Sequence, residues 1–115
     1  MEPFLDRLAE LDADDFARLA AAHSAARRRP RDPAYVEGRA KLTRLDTDGA
    51  LGLRISDAAG AAMRDAGYTG LHSPALAAIF WAGLAEALRD ELDEAEYAAL
   101  TASWAEALAP AGVEA

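Results

Sequence analysis

The chain has 115 residues, no cysteine and a formal net charge of −8. That length fits one domain of ordinary size, and the missing cysteine excludes disulfides, thiolate metal sites, cysteine nucleophiles and thiol redox switches. The charge is uneven, with −4 on residues 1–22, +4 on residues 23–64 and −8 on residues 65–115; nucleic acid, repelled by most of such a surface, is not an expected partner.

The opening MEPFLDRLAE is acidic and lacks an apolar run behind a basic start, so no secretory signal is expected. The uncharged stretch from Tyr68 to Ala85 contains Gly70, His72, Ser73 and Pro74. Its apolar part from Ala75 is too short to span a bilayer. A cytoplasmic protein without membrane contact is the expectation. Thirty-one alanines favour helix, and valine occurs only at positions 36 and 113, so strand signals are weak.

A short opening helix is predicted near 3–10, and the next near 13–29. The second starts in LDADDFARLAAAH from Leu11, and a similar pattern, LDEAEYAALTASW, returns from Leu92. Asp12 and Asp93 are placed to N-cap, accepting bonds from first-turn amides. Asp15 and Glu96 fall at N3, where a carboxylate helps and Glu can complete a capping box, and Leu11/Phe16 and Leu92/Tyr97 stand at staple positions. His23 occupies the position that Trp104 takes in the second copy, which points to packing rather than catalysis. Two helix starts built on the same physics explain the likeness without duplication.

Arg27, Arg28, Arg29 and Arg31 follow. They complement the dipole at a helix C-terminus, or form a docking patch for an acidic protein partner. No aromatics interleave with them, as RNA binding would favour. Asp32-Pro33 caps a helix predicted over 33–46, with proline at N1.

The stretch RLDTDGAL, from Arg44, has the look of a calcium loop. An EF-hand needs oxygen ligands at positions 1, 3, 5 and 12 and glycine at 6. With Asp46 first, Gly49 falls at 4, Leu51 at 6 and Asp57 at 12; with Gly49 at 6, Arg44 comes first and Ile55 last. Neither register supplies the ligands. Asp46 and Asp48 are expected to form a turn, with Gly49 in the left-handed region. A helix over 50–66 follows from the spacing of Leu51, Ile55, Ala59, Ala62 and Ala66, although ALGLRIS also reads as extended and Ser56 could cap a shorter helix. Gly49, Gly67 and Gly112 are candidate helix ends.

GLHSPAL, Gly70 to Leu76, resembles the Gly-x-Asp-Ser-Leu motif of acyl carrier proteins at Gly70 and Ser73, which would imply phosphopantetheine on Ser73. His72 and Pro74 replace the aspartate and leucine. Ser73 before Pro74 is expected to be a plain N-cap. The helix it opens is predicted over 74–91, with Leu76, Phe80, Leu84 and Leu88 as one stripe and Ala78, Ala82 and Ala85 as a small-residue face. Ile79, Phe80 and Trp81 cannot all face one way. The last helix is predicted over 93–109, with Trp104 mostly buried on the stripe Tyr97, Leu100, Trp104 and Leu108. Glu86, Asp90, Asp93, Glu94 and Glu96 read as a solvated face.

The fold expected is all-α, a compact antiparallel bundle of about five main helices plus a short N-terminal one, with helix 74–91 most buried. His23 and His72 lack paired metal-ligand spacing. No acid/base pair, nucleophile or phosphate loop stands out, so no enzyme chemistry, metal or cofactor is expected. The expected function is a non-catalytic interaction or assembly module that self-associates as a homo-oligomer. Binding of a small apolar or aromatic ligand is the alternative. Tyr68, His72, Ile79, Phe80, Trp81 and Trp104 are the candidate residues for either interface or pocket.

Overall fold

Side-chain oxygens set most of the helix starts. A computed structural model of the chain describes residues 2–28, 32–70 and 73–113, with side chains at 3–28, 32–70 and 73–108. Its helices are α1 (Glu2–Ala9), α2 (Ala13–Arg27), α3 (Pro33–Leu45), α4 (Ala50–Asp65), α5 (Pro74–Ala87) and α6 (Glu94–Val113), with a 3₁₀ turn at Arg89–Glu91. Among the described residues there is no strand. No described helix is long and apolar enough to cross a membrane.

Asp12 accepts from the Asp15 amide and Asp15 from the Asp12 amide, both at 2.9 Å. Asp93 and Glu96 repeat the exchange at 2.8 and 3.0 Å. Asp32 and Ser73 each accept from the amide two residues on, just after the N1 proline. Each such cap contributes roughly 1 kcal/mol.

The α3–α4 turn goes further than the sequence suggested. Gly49 is left-handed, with φ 72°, but it is the N-cap of α4, while α3 ends at Asp46. Asp46 then reaches forward, its two carboxylate oxygens accepting from Leu51 and Gly52, and Asp48 accepts from Ala50. Two carboxylates thus satisfy first-turn amides at the positive end of a helix dipole. The 50–66 segment is one helix, and Ser56 lies inside it. Gly67, at φ 79°, closes that helix as expected. The Tyr68 amide bonds Met63 and the Gly67 amide bonds Arg64, the paired bonds of a Schellman end.

Two boundaries differ from expectation. The helix expected to reach 91 stops at Ala87, because Leu88 leaves helical geometry at φ −113° and ψ 32° and a 3₁₀ turn follows. Gly112 does not end α6, which runs to Val113; only Gly49 and Gly67 among the described residues take positive φ.

Helices α2, α4 and α6 pack around α5, α3 packs chiefly on α6, and α1 lies on α4. The central helix buries its small residues deepest: Ala75, Ala78, Ala82, Gly83 and Ala85, with Ile79 and Leu84. Leu76, Phe80 and Leu88, expected to define its apolar stripe, are only half-buried. Crowding explains the inversion, since a helix enclosed on several sides admits close neighbours only over small side chains. At Gly83 a Cβ would lie 3.0 Å from both Ile55 and Phe4.

Candidate functional site

Of the six residues singled out from sequence, the five that are described do not converge. Ile79 is fully buried in the core. Tyr68 packs on Phe16, ring centroids 5.9 Å apart, and its hydroxyl lies 3.3 Å from the Ser73 hydroxyl. Trp104 is half-buried rather than mostly buried, tilted against Phe4 of α1 at 4.8 Å. Its stripe-mates Leu100 and Leu108 are buried. His72 lies outside the described residues, as do Arg29 and Arg31. Arg27 and Arg28 are exposed at the end of α2.

Phe80 and Trp81 stay together. Their rings meet edge to face at 4.9 Å and 87°, and both are half-buried. Phe80 reaches under α4, where a Cβ on Gly52 would come within 2.8 Å of its ring; the Asp46 carboxylate is the next neighbour there, at 3.1 Å. On either side of that turn Leu45 and Leu53 stand exposed at 47% and 64%. Trp81 faces α3, with the Arg39 guanidinium 4.7 Å from its ring centroid and 5.6 Å from that of Tyr35. Among the described residues Arg39 has no carboxylate partner.

His23 is buried nearby. Burial holds its imidazole below the ordinary value, and the Arg27 and Arg39 charges push the same way. Burial first and the two guanidiniums second disfavour the imidazolium, so the imidazole stands in a basic corner. Leu45, Leu53, Tyr35 and Arg39 were not picked out from sequence. The i,i+4 spacing of Tyr35 and Arg39 was a readable signal, whereas the exposure of the two leucines depends on how α3 and α4 pack.

The acidic end is organised differently. Glu96, expected on a solvated face, is 4% exposed. One carboxylate oxygen accepts from Lys41 Nζ at 2.8 Å and from the Asp93 amide at 3.0 Å. The bond from Lys41 and the Asp93 amide hold Glu96 below the usual carboxylate range, and the same bond raises Lys41. Sequence reasoning erred because the lysine that pairs with it comes from a different helix. Tyr97 donates its hydroxyl to Glu86 at 2.7 Å, which raises its pKa. The Arg89 guanidinium stands 3.8 Å above the Tyr97 ring and pairs with Glu94 at 3.0 Å.

Two surface hollows lie elsewhere. One of 320 Å³ runs between α1 and α4, lined by Leu5, Leu8, Leu11, Ala58 and Ala62 among others. A second of 260 Å³ is formed by residues 86–91. Neither is bordered by the aromatic residues above. Among the described residues no group of three or more His, Asp or Glu side chains comes together to hold a metal ion. No known protein family matches the chain, and neither a curated protein nor a solved structure is significantly similar to it.

Proposed function

We propose that the protein is a non-catalytic assembly module that self-associates through the α3–α4 corner and the adjoining Phe80–Trp81 pair. The observation that carries this reading is the exposure of Leu45 and Leu53, the chain neighbours of Asp46 and Gly52, at the turn where Gly52 approaches the half-buried Phe80 ring. Apolar side chains gathered at one corner are stabilised when a partner excludes water from them. Aromatic residues are preferred at the centres of such interfaces. A second copy suits the charge pattern, because the +4 middle of one chain complements the −8 end of another. A closed twofold pair is the default form for such an assembly. Within α5 the Phe80–Trp81 edge contributes, while Ala75, Ala78, Ile79, Ala82, Leu84 and Ala85 are buried in the monomer.

Sedimentation equilibrium in low and moderate salt tests the reading, with a dimer as the expected species. The double variant Leu45→Ser/Leu53→Ser should dissociate it, while at concentrations dilute enough for the wild type to be monomeric the two proteins should melt alike, because both side chains are exposed in the monomer. A wild-type protein that stays strictly monomeric at high concentration in both salts overturns the proposal. The small-ligand reading would then move to the hollow between α1 and α4.

A further inference from the structure

Arg39 and the acidic turn after α5 are complementary in a specific way. Arg39 is held against Tyr35 and Trp81. Its guanidinium plane is therefore ordered before any partner arrives, which reduces the entropy lost on binding. Among the described residues no carboxylate neutralises it. The basic end of α2, with Arg27 and Arg28 exposed, lies in the same corner.

At the acidic end, most carboxylates are already engaged. Glu86 takes the Tyr97 hydroxyl, Glu94 takes Arg89, Glu96 takes Lys41, and Asp93 caps α6. Asp90 and Glu91 remain, exposed on the 3₁₀ turn and without a partner among the described residues. They border the 260 Å³ hollow of residues 86–91, a concavity that suits a protruding side chain.

We propose that Arg39, presented by Tyr35 and Trp81, docks on the Asp90–Glu91 turn of a second copy of this chain, twice in one twofold interface. This rests on the self-association proposed above and names the polar contact that fixes its register. Trp81 lies six residues before the end of α5, about 9 Å by helical rise, and the acidic turn follows directly, a separation within the span of an ordinary interface. Planar guanidinium–carboxylate pairing supplies the orientation that exposed leucines lack. In a twofold pair each chain gives one guanidinium and one acidic turn, so a single contact type is used twice.

A charge-swap experiment decides it. Arg39→Glu and the double variant Asp90→Arg/Glu91→Arg are each studied by sedimentation, alone and as an equimolar mixture. Each alone should weaken the dimer by about tenfold or more, since like charges then face each other. The mixture should restore the wild-type affinity, because Glu at 39 then meets Arg at 90 and 91 while the native pair survives at the other site. Circular dichroism checks folding, and Arg39→Gln serves if Arg39→Glu unfolds the corner. A monomeric wild type removes the self-association reading itself. A wild-type dimer indifferent to Arg39→Glu, or to Arg39→Gln where that variant stands in, leaves self-association standing and overturns this contact. Two weakened variants that do not recover on mixing overturn the pairing, and binding of the wild type to a poly-glutamate peptide with no self-association would place an acidic foreign partner there instead.

Discussion

The starts of α2 and α6 use one local code for two different ends. Both read Leu-Asp-x-x-acid-aromatic-Ala-x-Leu, and both close the same reciprocal cap. At α2 the N3 acid, Asp15, also pairs with Arg18 one turn on, so the arrangement stays within the helix. At α6 the N3 acid is Glu96, one methylene longer and roofed by α3, and it reaches Lys41 on that helix. The aromatic residues diverge too: Phe16 is fully buried, while Tyr97 sits half-buried with its hydroxyl on Glu86. A cap motif therefore specifies where a helix begins. What its side chains do afterwards is decided by the helix packed above them.

The largest expected difference lies in the paired aromatics. Phe16→Ala should cost about 3–5 kcal/mol, as deletion of a large core side chain does. Tyr97→Ala should cost clearly less, because part of that ring is already in water. Urea unfolding of the two variants measures both. Equal losses would mean that the two aromatic positions are equivalent after all.

The position two turns further on in α6 should come next. Trp104 is half-buried on Phe4, so Trp104→Ala should lose about 2 kcal/mol, below the cost of a fully enclosed ring. A loss near zero would place Trp104 on the free surface, and a loss as large as that of Phe16→Ala would place it in the core.

What could be read from sequence was local. Asp12, Asp32, Ser73 and Asp93 cap within a few residues of themselves, and Gly67 closes α4 through bonds to Met63 and Arg64. Such contacts depend on composition and spacing alone. What escaped depended on distant partners. Glu96 looked solvated because Lys41, its partner, is 55 positions away. The deep face of α5 looked like the leucine stripe, until α2, α4 and α6 closed over its alanines. The clamp on Arg39 needs Trp81 from another helix. Periodicity describes one helix, and these features belong to pairs of helices.

Removing the caps should produce near-equal, smaller effects. Asp12→Ala and Asp93→Ala should each cost about 1 kcal/mol, with any excess at Asp93 reporting on the Glu96 cross-link it helps to hold. Ser73→Ala belongs to the same scale, since its hydroxyl caps α5 and contacts Tyr68. Intact mass after co-expression with a phosphopantetheinyl transferase should show no added group on Ser73; an added group would refute a purely structural role.

Acid should act on the two halves of the molecule in different windows. His23 is held below its ordinary value of about 6.5, so the unfolded chain binds the proton more readily. Its stabilising effect is full above that pH and declines as pH falls below it towards the folded value. Glu96 is also held low, so its share is present above the ordinary carboxylate value of about 4.3 and is lost as pH falls through the folded one. Melting temperature followed from pH 7.5 to pH 3 (a span of about these two windows) should therefore show His23→Gln flattening the upper part. Glu96→Gln should flatten the lower part. A His23→Gln curve parallel to wild type between pH 7 and 5, around the imidazole range of about 6.5, would mean that the histidine titrates freely.

A third helix start sets the smallest effect, which is none. Like α2 and α6, α4 begins on carboxylates, yet Asp46 and Asp48 come from the preceding turn, in a stretch that resembles the opening of a calcium loop. Both oxygens of Asp46 already accept amide protons, from Leu51 at 3.1 Å and Gly52 at 2.9 Å, and Asp48 accepts from Ala50 at 3.0 Å. Calcium needs six to eight oxygens, and drawing these two carboxylates towards it would strip the first turn of α4 of its caps. A ligand stabilises only what it binds in the folded state. Millimolar calcium should leave the melting temperature unchanged, while Asp46→Ala should lower it with or without the ion. A calcium-dependent rise that disappears in Asp46→Ala would show that this turn gives up its amide bonds to hold a cation, and would separate α4 from the two helices it otherwise resembles.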